Sequence, residues 1–365
     1  MTTTIKKVES KVNVKEFQDI IKKLKKAFPA KSGTMPETLR SILIESGDNE
    51  TYLTVLDIDS QSRITVKIDS ASEPGLRTII TEQNLKAIEK IKNEDTVIIA
   101  KDCVYTDKKV IELDINLLEK YPKIRELNTN TLLFESIESE FKELISIKKY
   151  CSKDEKKSAF NGILLRDNRM IATDTFRMAL RDFEFNTEEG NNSNIPKTVM
   201  YNLDQFLDKK GESEVKAYIK EDKIKIVKDN ITIVAKLINE TFPNLEQVVP
   251  KHFTTEVMIK DKKELKEELN YMKEFAKTQN NIVKLETDQE NNKIIIESKQ
   301  ENGKSAKTKV DAIINEDEIQ VYCNVQFLID SLELDTLGNI TIKFAGQYSP
   351  IMINDQDLIL PVRKV

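Results

Sequence analysis

The feature that most constrains this chain is an internal repeat. Three times in 365 residues the same order returns: an amphipathic helix, a run of β-rich segments, a second helix and more β-rich segments. In the first third, "VKEFQDIIKKLKKAF" sets Phe17, Ile20, Ile21, Leu24 and Phe28 on one helical stripe, with Lys15, Lys22 and Lys26 on the opposite face. The β-rich runs "SILIES", "TYLTVLDID" and "RITVKID" follow, broken by "GDNE" and "SQS" as hairpins require. The helix "TEQNLKAIEKIKNE" and the strands "TVIIAKD" and "KVIELD" complete the set. The middle third reads as the helix "LFESIESEFKELISIKKYCS" and a hairpin in "FNGILLRDNRMIATDTFRMALRDF" with Asp167-Asn168 at its turn. The helix "PKTVMYNLDQFLDKKG", bounded by Pro196 and Gly211, then leads into three strands in "EVKAYIKEDKIKIVKDNITIVAKLI". The last third runs from "KDKKELKEELNYMKEFAKT" through "NVQFLIDSLELD" to "NITIKFA", "SPIMIND" and "DLILPV". The second helices start roughly 117 to 126 residues apart, a domain length. The pattern predicts an α+β protein of three consecutive similar domains, 1–127, 128–250 and 251–365, each with two helices packed on β-sheet.

Composition narrows the function classes. One histidine, His252, and three scattered cysteines, Cys103, Cys151 and Cys323, leave no material for a catalytic relay, a disulfide framework or a CxxC metal site. With nine glycines, the chain shows no GxxxxGK[ST] loop and no GxGxxG turn, and no cofactor is implied. No apolar run reaches the roughly 20 residues of a membrane span, and the N-terminal stretch lacks a signal-peptide core, so a cytoplasmic protein without a membrane partner is expected.

A net charge of −5 argues against a protein that simply coats nucleic acid, yet an acidic total can hide a basic face. The polar helix faces carry Lys22, Lys26, Lys86, Lys90, Lys148, Lys149, Lys209, Lys210 and Lys273. Taken singly, such lysines belong to solvated faces with i,i+4 partners. As a set they suit phosphates and not base edges, and no aromatics interleave with them to stack single strands. Repeated domains joined edge to edge form an arc, and an arc with matching ends closes by two-fold association, which also removes exposed sheet edges.

Several short strings then resemble one family. "FNGILL" followed by "IATDTFRMAL", "TFPNLEQVVP" at the junction of the second and third domains, "YSPIMI" followed by "LILPVR" at the end, and "EPG" at 73–75 are similar, in order and spacing, to motifs of the bacterial DNA polymerase III beta subunit, or sliding clamp, family. The resemblance implies the DNA clamp fold, with each chain forming half of a closed ring. It implies a homodimer that encircles duplex DNA without reading sequence, tethers the replicative polymerase as a non-catalytic processivity factor, and also binds the clamp loader and other clamp-binding-motif proteins. It also implies a partner-peptide pocket between domains 2 and 3, built from Phe160, Thr173, Thr175, Phe176, Arg177, Met178, Pro243, Gln247, Val248, Pro350, Leu358, Leu360, Pro361, Val362 and Arg363. The matching ring interface is Ile111 and Leu113 on an edge strand with Met272 and Phe275 on a helix.

The chain departs from that family where it usually has Gly-His, here Thr175-Phe176, and where it has paired arginines, here Glu246-Gln247. More apolar area and less positive charge predict an altered partner preference, with weaker attraction to an acidic peptide flank at 246–247. The same departure keeps a second reading open: a divergent plasmid- or phage-type paralogue with altered partner specificity.

Overall fold

Three runs of secondary structure follow one another with the same internal order. In a computed structural model the described residues are 8–363 apart from 30–34, 59–60, 124–126, 185, 188–191, 246, 301–302, 317 and 335–337. The first run is β1 (Ser10–Asn13), α1 (Val14–Leu24), β2 (Ser41–Ser46), β3 (Glu50–Asp57), β4 (Ser62–Asp69), β5 (Ala71–Ser72), β6 (Arg77–Thr81), α2 (Glu82–Ile88), β7 (Thr96–Ile99), β8 (Cys103–Tyr105) and β9 (Val110–Glu112). The second is β10 (Leu132–Ile137), α3 (Glu138–Leu144), β11 (Gly162–Arg166), β12 (Arg169–Thr173), β13 (Arg177–Asp182), β14 (Ser193–Pro196), α4 (Lys197–Asp204), β15 (Glu214–Lys220), β16 (Lys223–Lys228) and β17 (Ile231–Lys236). The third is β18 (Thr255–Ile259), α5 (Lys262–Ala276), β19 (Ile282–Asp288), β20 (Lys293–Lys299), β21 (Ser305–Asp311), β22 (Ile313–Glu316), β23 (Gln320–Asn324), α6 (Val325–Leu334), β24 (Ile340–Phe344), β25 (Ile351–Ile353) and β26 (Asp357–Ile359).

Each run opens with a strand that hydrophobic periodicity does not reveal. β1 is four residues long and hands its last residue, Asn13, to α1 as a cap: its side chain accepts from the amides of Lys15 and Glu16. Asp261 caps α5 in the same way. The expected helix over 133–152 is corrected. Its first residues, Leu133 to Ile137, belong to β10, α3 lasts seven residues, and 145–150 tightens into a 3-10 turn. Alternation of Leu133 and Glu135 against Phe134 and Ser136 fits a strand better than a helix once β15 supplies its ladder. α4 likewise ends at Asp204, well before Gly211.

The chain divides into two compact units, 1–145 with 184–239, and 146–183 with 240–365, so the middle run contributes to both. The first unit holds the sheets β5-β1-β7-β8-β9 and β10-β15-β16-β17-β4-β3-β2-β6, the second pairing β17 with β4 across residues 231–235 and 62–66. Its four helices touch one another in a row. Gln18 of α1 donates to the carbonyls of Ile88 (2.8 Å) and Ile91 (3.0 Å), Lys23 stands over the Phe206 ring, and Lys142 of α3 pairs with Asp204 of α4 at 3.1 Å. In the second unit β11-β12-β13-β26-β25-β24-β18-β22 run in order beside the sheet β21-β20-β19-β23. Its main core packs Leu265, Leu269 and Met272 of α5 and Leu328, Ile329 and Leu332 of α6 against both sheets.

Candidate functional site

The second unit carries an apolar cluster apart from its main core. β13 pairs with β26 so that Met178 faces Leu358, and the neighbouring ladders set Thr173 opposite Met178, Ile171 opposite Leu180, Leu164 opposite Ile171 and Met352 opposite Leu358. Directly opposed residues of antiparallel strands share a face, so five strands build one apolar floor. Leu164, Ile171, Met178, Met352 and Leu358 are buried there with Phe242, and half-buried Phe160, Leu180, Leu245, Val249 and Phe253 pack around them. Phe160 meets Phe242 edge to face at 5.2 Å, and the Arg166 guanidinium donates to the carbonyls of Phe242 and Pro243, each at 3.3 Å. This ties the segment after 240 across the sheet.

The tight turn from Thr173 to Arg177 forms one end of the floor. Asp174 accepts from the amides of Phe176 (3.0 Å) and Arg177 (3.1 Å), and the Thr173 hydroxyl accepts from the Thr175 amide while donating to the Arg177 carbonyl. Thr175 is forced to φ +79°, a left-handed conformation that suits glycine. Phe176 is left 58% exposed. Lys157 donates to the Thr175 hydroxyl at 2.9 Å and lies over the Phe176 ring, 5.4 Å from its centroid. The C-terminal segment passes beside the turn: the Leu360 amide donates to the Phe176 carbonyl (2.9 Å) and the Val362 amide to the Tyr322 carbonyl (2.7 Å).

The residues proposed for a peptide pocket therefore gather in one unit, but in different roles. Thr173, Met178 and Leu358 are buried floor; Phe160, Thr175, Pro350, Leu360, Pro361 and Val362 are half-buried; Phe176, Pro243, Gln247, Val248 and Arg363 are exposed, with Arg363 over the Tyr348 ring. Glu246 lies outside the described residues, as do Lys364 and Val365. Arg177 does not join them, because period-two alternation sends it to the opposite face from Met178. Its guanidinium is stacked between Tyr150 (4.4 Å) and Phe327 (4.6 Å), pairs with Asp174 at 3.0 Å and with Asp330, and donates to the Lys149 carbonyl. Burial disfavours its charge, but Asp330 and Asp174 overcome that and raise its pKa. Beside it, burial raises the Tyr150 pKa, the Tyr150 hydroxyl shares a hydrogen bond with Ser331 (2.8 Å), and Arg181 pairs with buried Asp357 at 3.1 Å. The floor thus has an open apolar face and a closed, fully charged underside. Sequence reasoning missed Lys157, Phe242, Leu245, Val249 and Phe253; spacings of three and four in "FPNLEQVVPKHF" were the available signal.

The lysines sort differently in the two units. In the first, Lys22, Lys86, Lys90, Lys209 and Lys210 are exposed, Lys22 near Asp19 (3.3 Å) and Lys86 near Glu82 (2.9 Å), while Lys26 donates to Gln205. In the second, Lys149 is exposed beside Glu333 (3.2 Å) and Lys273 is half-buried. Lys148 is corrected: it is 6% exposed, because the 3-10 turn changes the period from 3.6 to 3 and carries it inward with Ile145. Two interface expectations shift as well. Met272 lies on the core stripe of α5 with Leu265, Leu269 and Ala276, and its neighbour Tyr271 is the exposed apolar side chain, at 60%. On β9, Ile111 is half-buried and Leu113 beyond the strand is buried, whereas Val110 is 69% exposed. Phe275 is half-buried.

Comparison with known proteins places these features. Residues 137–244 match the central domain of the DNA polymerase III beta subunit, and 246–358 its C-terminal domain. The beta sliding clamp of Bacillus subtilis is 27% identical over 53% of this chain and 53% of its own length, so that match spans about half of each; the beta sliding clamp of Pseudomonas aeruginosa is 20% identical over 90% of this chain and 93% of its own. Among solved structures, the DNA polymerase III beta subunit of Thermotoga maritima shares the fold with a TM-score of 0.85 at 21% identity, covering 98% of this chain and 100% of that one. A sliding clamp of Bartonella birtlesii bound to griselimycin does so with a TM-score of 0.86 at 16% identity, covering 98% and 100%.

Proposed function

The chain belongs to the DNA polymerase III beta subunit family, and from that membership we propose that it is a DNA sliding clamp: a homodimeric ring of three-domain chains that encircles duplex DNA and holds its polymerase there through the groove over Met178 and Leu358. The observation that carries this reading is a reuse of strand positions. In each run one strand closes the first β-rich stretch (β4, β13, β21) and one ends the run (β9, β17, β26). β4 pairs with β17, and β13 with β26. The same rule leaves β21 and β9, each at the edge of its sheet, to be joined between two copies. Exposed Val110 and Glu112 on β9 against Lys307 and Lys309 on β21 are compatible in character and in sign.

On this reading the exposed lysines of the first unit's helices face the DNA backbone, with contacts weak enough to permit sliding. The protein supplies topology and no catalysis, and works in the cytoplasm; among the described residues no helix is long and apolar enough to cross a membrane. The groove takes a short apolar peptide from the polymerase, the clamp loader and other partners. Light scattering should give twice the chain's 42.0 kDa, and the protein should raise polymerase processivity on primed circular DNA. A monomer at micromolar concentration would sink the ring, and a dimer without stimulation would leave the divergent paralogue in its place.

A further inference from the structure

The lysines around the groove are nearly all matched to carboxylates. Lys149 is taken by Glu333, Lys343 by Asp355 at 2.7 Å, and Lys284 by Glu297 and Glu286. Lys157 is the exception. Its ammonium has one neutral acceptor, the Thr175 hydroxyl, and the face of Phe176, with no carboxylate partner among the described residues. An ammonium offers three donors, so two remain unmatched on a half-buried group in a chain of net charge −5. Its location adds to the point. The Phe176 ring is exposed, its carbonyl holds Leu360, and its neighbour in sequence but one, Met178, is the floor of the groove.

Resting on the groove reading above, we propose that Lys157 and Phe176 form a two-part reader that selects a peptide carrying an Asp or Glu side chain next to an apolar anchor. The apolar residue lies against the Phe176 ring. The next residue along an extended chain is about 3.5 Å further on, which brings its carboxylate within reach of an ammonium 5.4 Å from the ring centre. The carboxylate completes the donors that Thr175 leaves unmatched, as a charge-assisted bond at the edge of an apolar surface. Attraction for acidic flanks, expected from the sequence to be weak at 246–247, is thereby supplied at the 173–177 turn.

The test uses amidated ten-residue peptides with leucine and phenylalanine anchors, identical but for Asp or Asn beside the anchor, titrated into the full-length protein by fluorescence anisotropy. Wild type should bind the Asp peptide about fivefold more tightly, a preference that shrinks as salt rises from about 0.05 to 0.5 M. Lys157→Gln should bind both peptides as wild type binds the Asn peptide, and Lys157→Arg should keep most of the preference. Equal affinities in wild type, or a preference that survives Lys157→Gln, would overturn the proposal while the groove stands. Binding of neither peptide would overturn the groove reading as well.

Discussion

Two connecting segments lie on sheet faces, one in each unit, and only one leaves a site. In the first unit the 3-10 turn Ile115–Lys120 is capped by Asp114 and followed by Tyr121, which closes over Leu43 and Ile79 with Leu56, Leu117 and Leu118 around it. Its ring is buried and its hydroxyl donates to the Thr54 carbonyl. In the second unit the segment from Phe242 to Phe253 contains Pro243 and Pro250 and forms no regular helix, so Phe242, Leu245, Val249 and Phe253 descend onto the sheet one at a time. The cover is incomplete, and Phe160, Phe176 and Val248 keep apolar surface within reach of solvent. A regular, capped connector seals a face; an irregular one tethered by Arg166 leaves a groove. Exposed apolar surface of this kind is retained where something docks.

The largest effect is expected beneath the open face. Arg177→Ala would leave Asp330 and Asp174 without their buried cation and should destabilise the second unit by about 3–5 kcal/mol. Hydrogen exchange of α6 and β13 should accelerate while strands of the first unit's sheet are unchanged; equal acceleration in both units would break the contrast. Next comes the closed face. Tyr121→Ala should cost about 3 kcal/mol through the hollow it leaves over Leu43 and Ile79. Urea unfolding should report that loss with peptide affinity intact, and a fall in affinity would show that the two faces are not independent.

How much of this contrast the sequence discloses depends on whether a pattern is local. The repeat, the helices α1, α2, α4, α5 and α6 and the turn at Asp167-Asn168, both with positive φ, follow from periodicity and turn chemistry. The opening strands of each run do not, because four to six residues owe their extended form to partners far along the chain, as β1 does to β7. Met178 and Leu358 are legible through the order of short motifs, yet the side that Arg177 faces is settled only by the register of β13 with β26. Lys157 sits in "SKDEKKSAF" and reads as one charge of a solvated run; its isolation from carboxylates is a property of three dimensions.

A smaller change probes the open face directly. Phe176→Ala removes the most exposed aromatic at the groove's end while touching none of the buried floor, so peptide affinity should fall about tenfold. Stability should stay within about 0.5 kcal/mol, as for an exposed site. Full affinity in this variant would mean that the open surface at the turn is idle and that binding rests on Met178 and Leu358 alone.

The smallest expected effect concerns the backbone that holds Phe176 out. Thr175 is the one β-branched residue among the described residues with positive φ, at a position where the resembled family usually has glycine. Such a conformation stores about 1–3 kcal/mol, tolerated here because Asp174 and Thr173 fix the turn from both sides. Thr175→Gly releases that strain but loses the hydroxyl bonded to Lys157 and adds about 0.5–1 kcal/mol of unfolded-state entropy. The balance favours the variant by about 1 kcal/mol, a rise of about 2 °C in the unfolding temperature of the second unit. Tyr121 in the first unit sits over its sheet without any such residue beside it. A lower unfolding temperature would mean that the Lys157 to Thr175 bond outweighs the strain, and that the turn is held open by that bond and not against its own backbone preference.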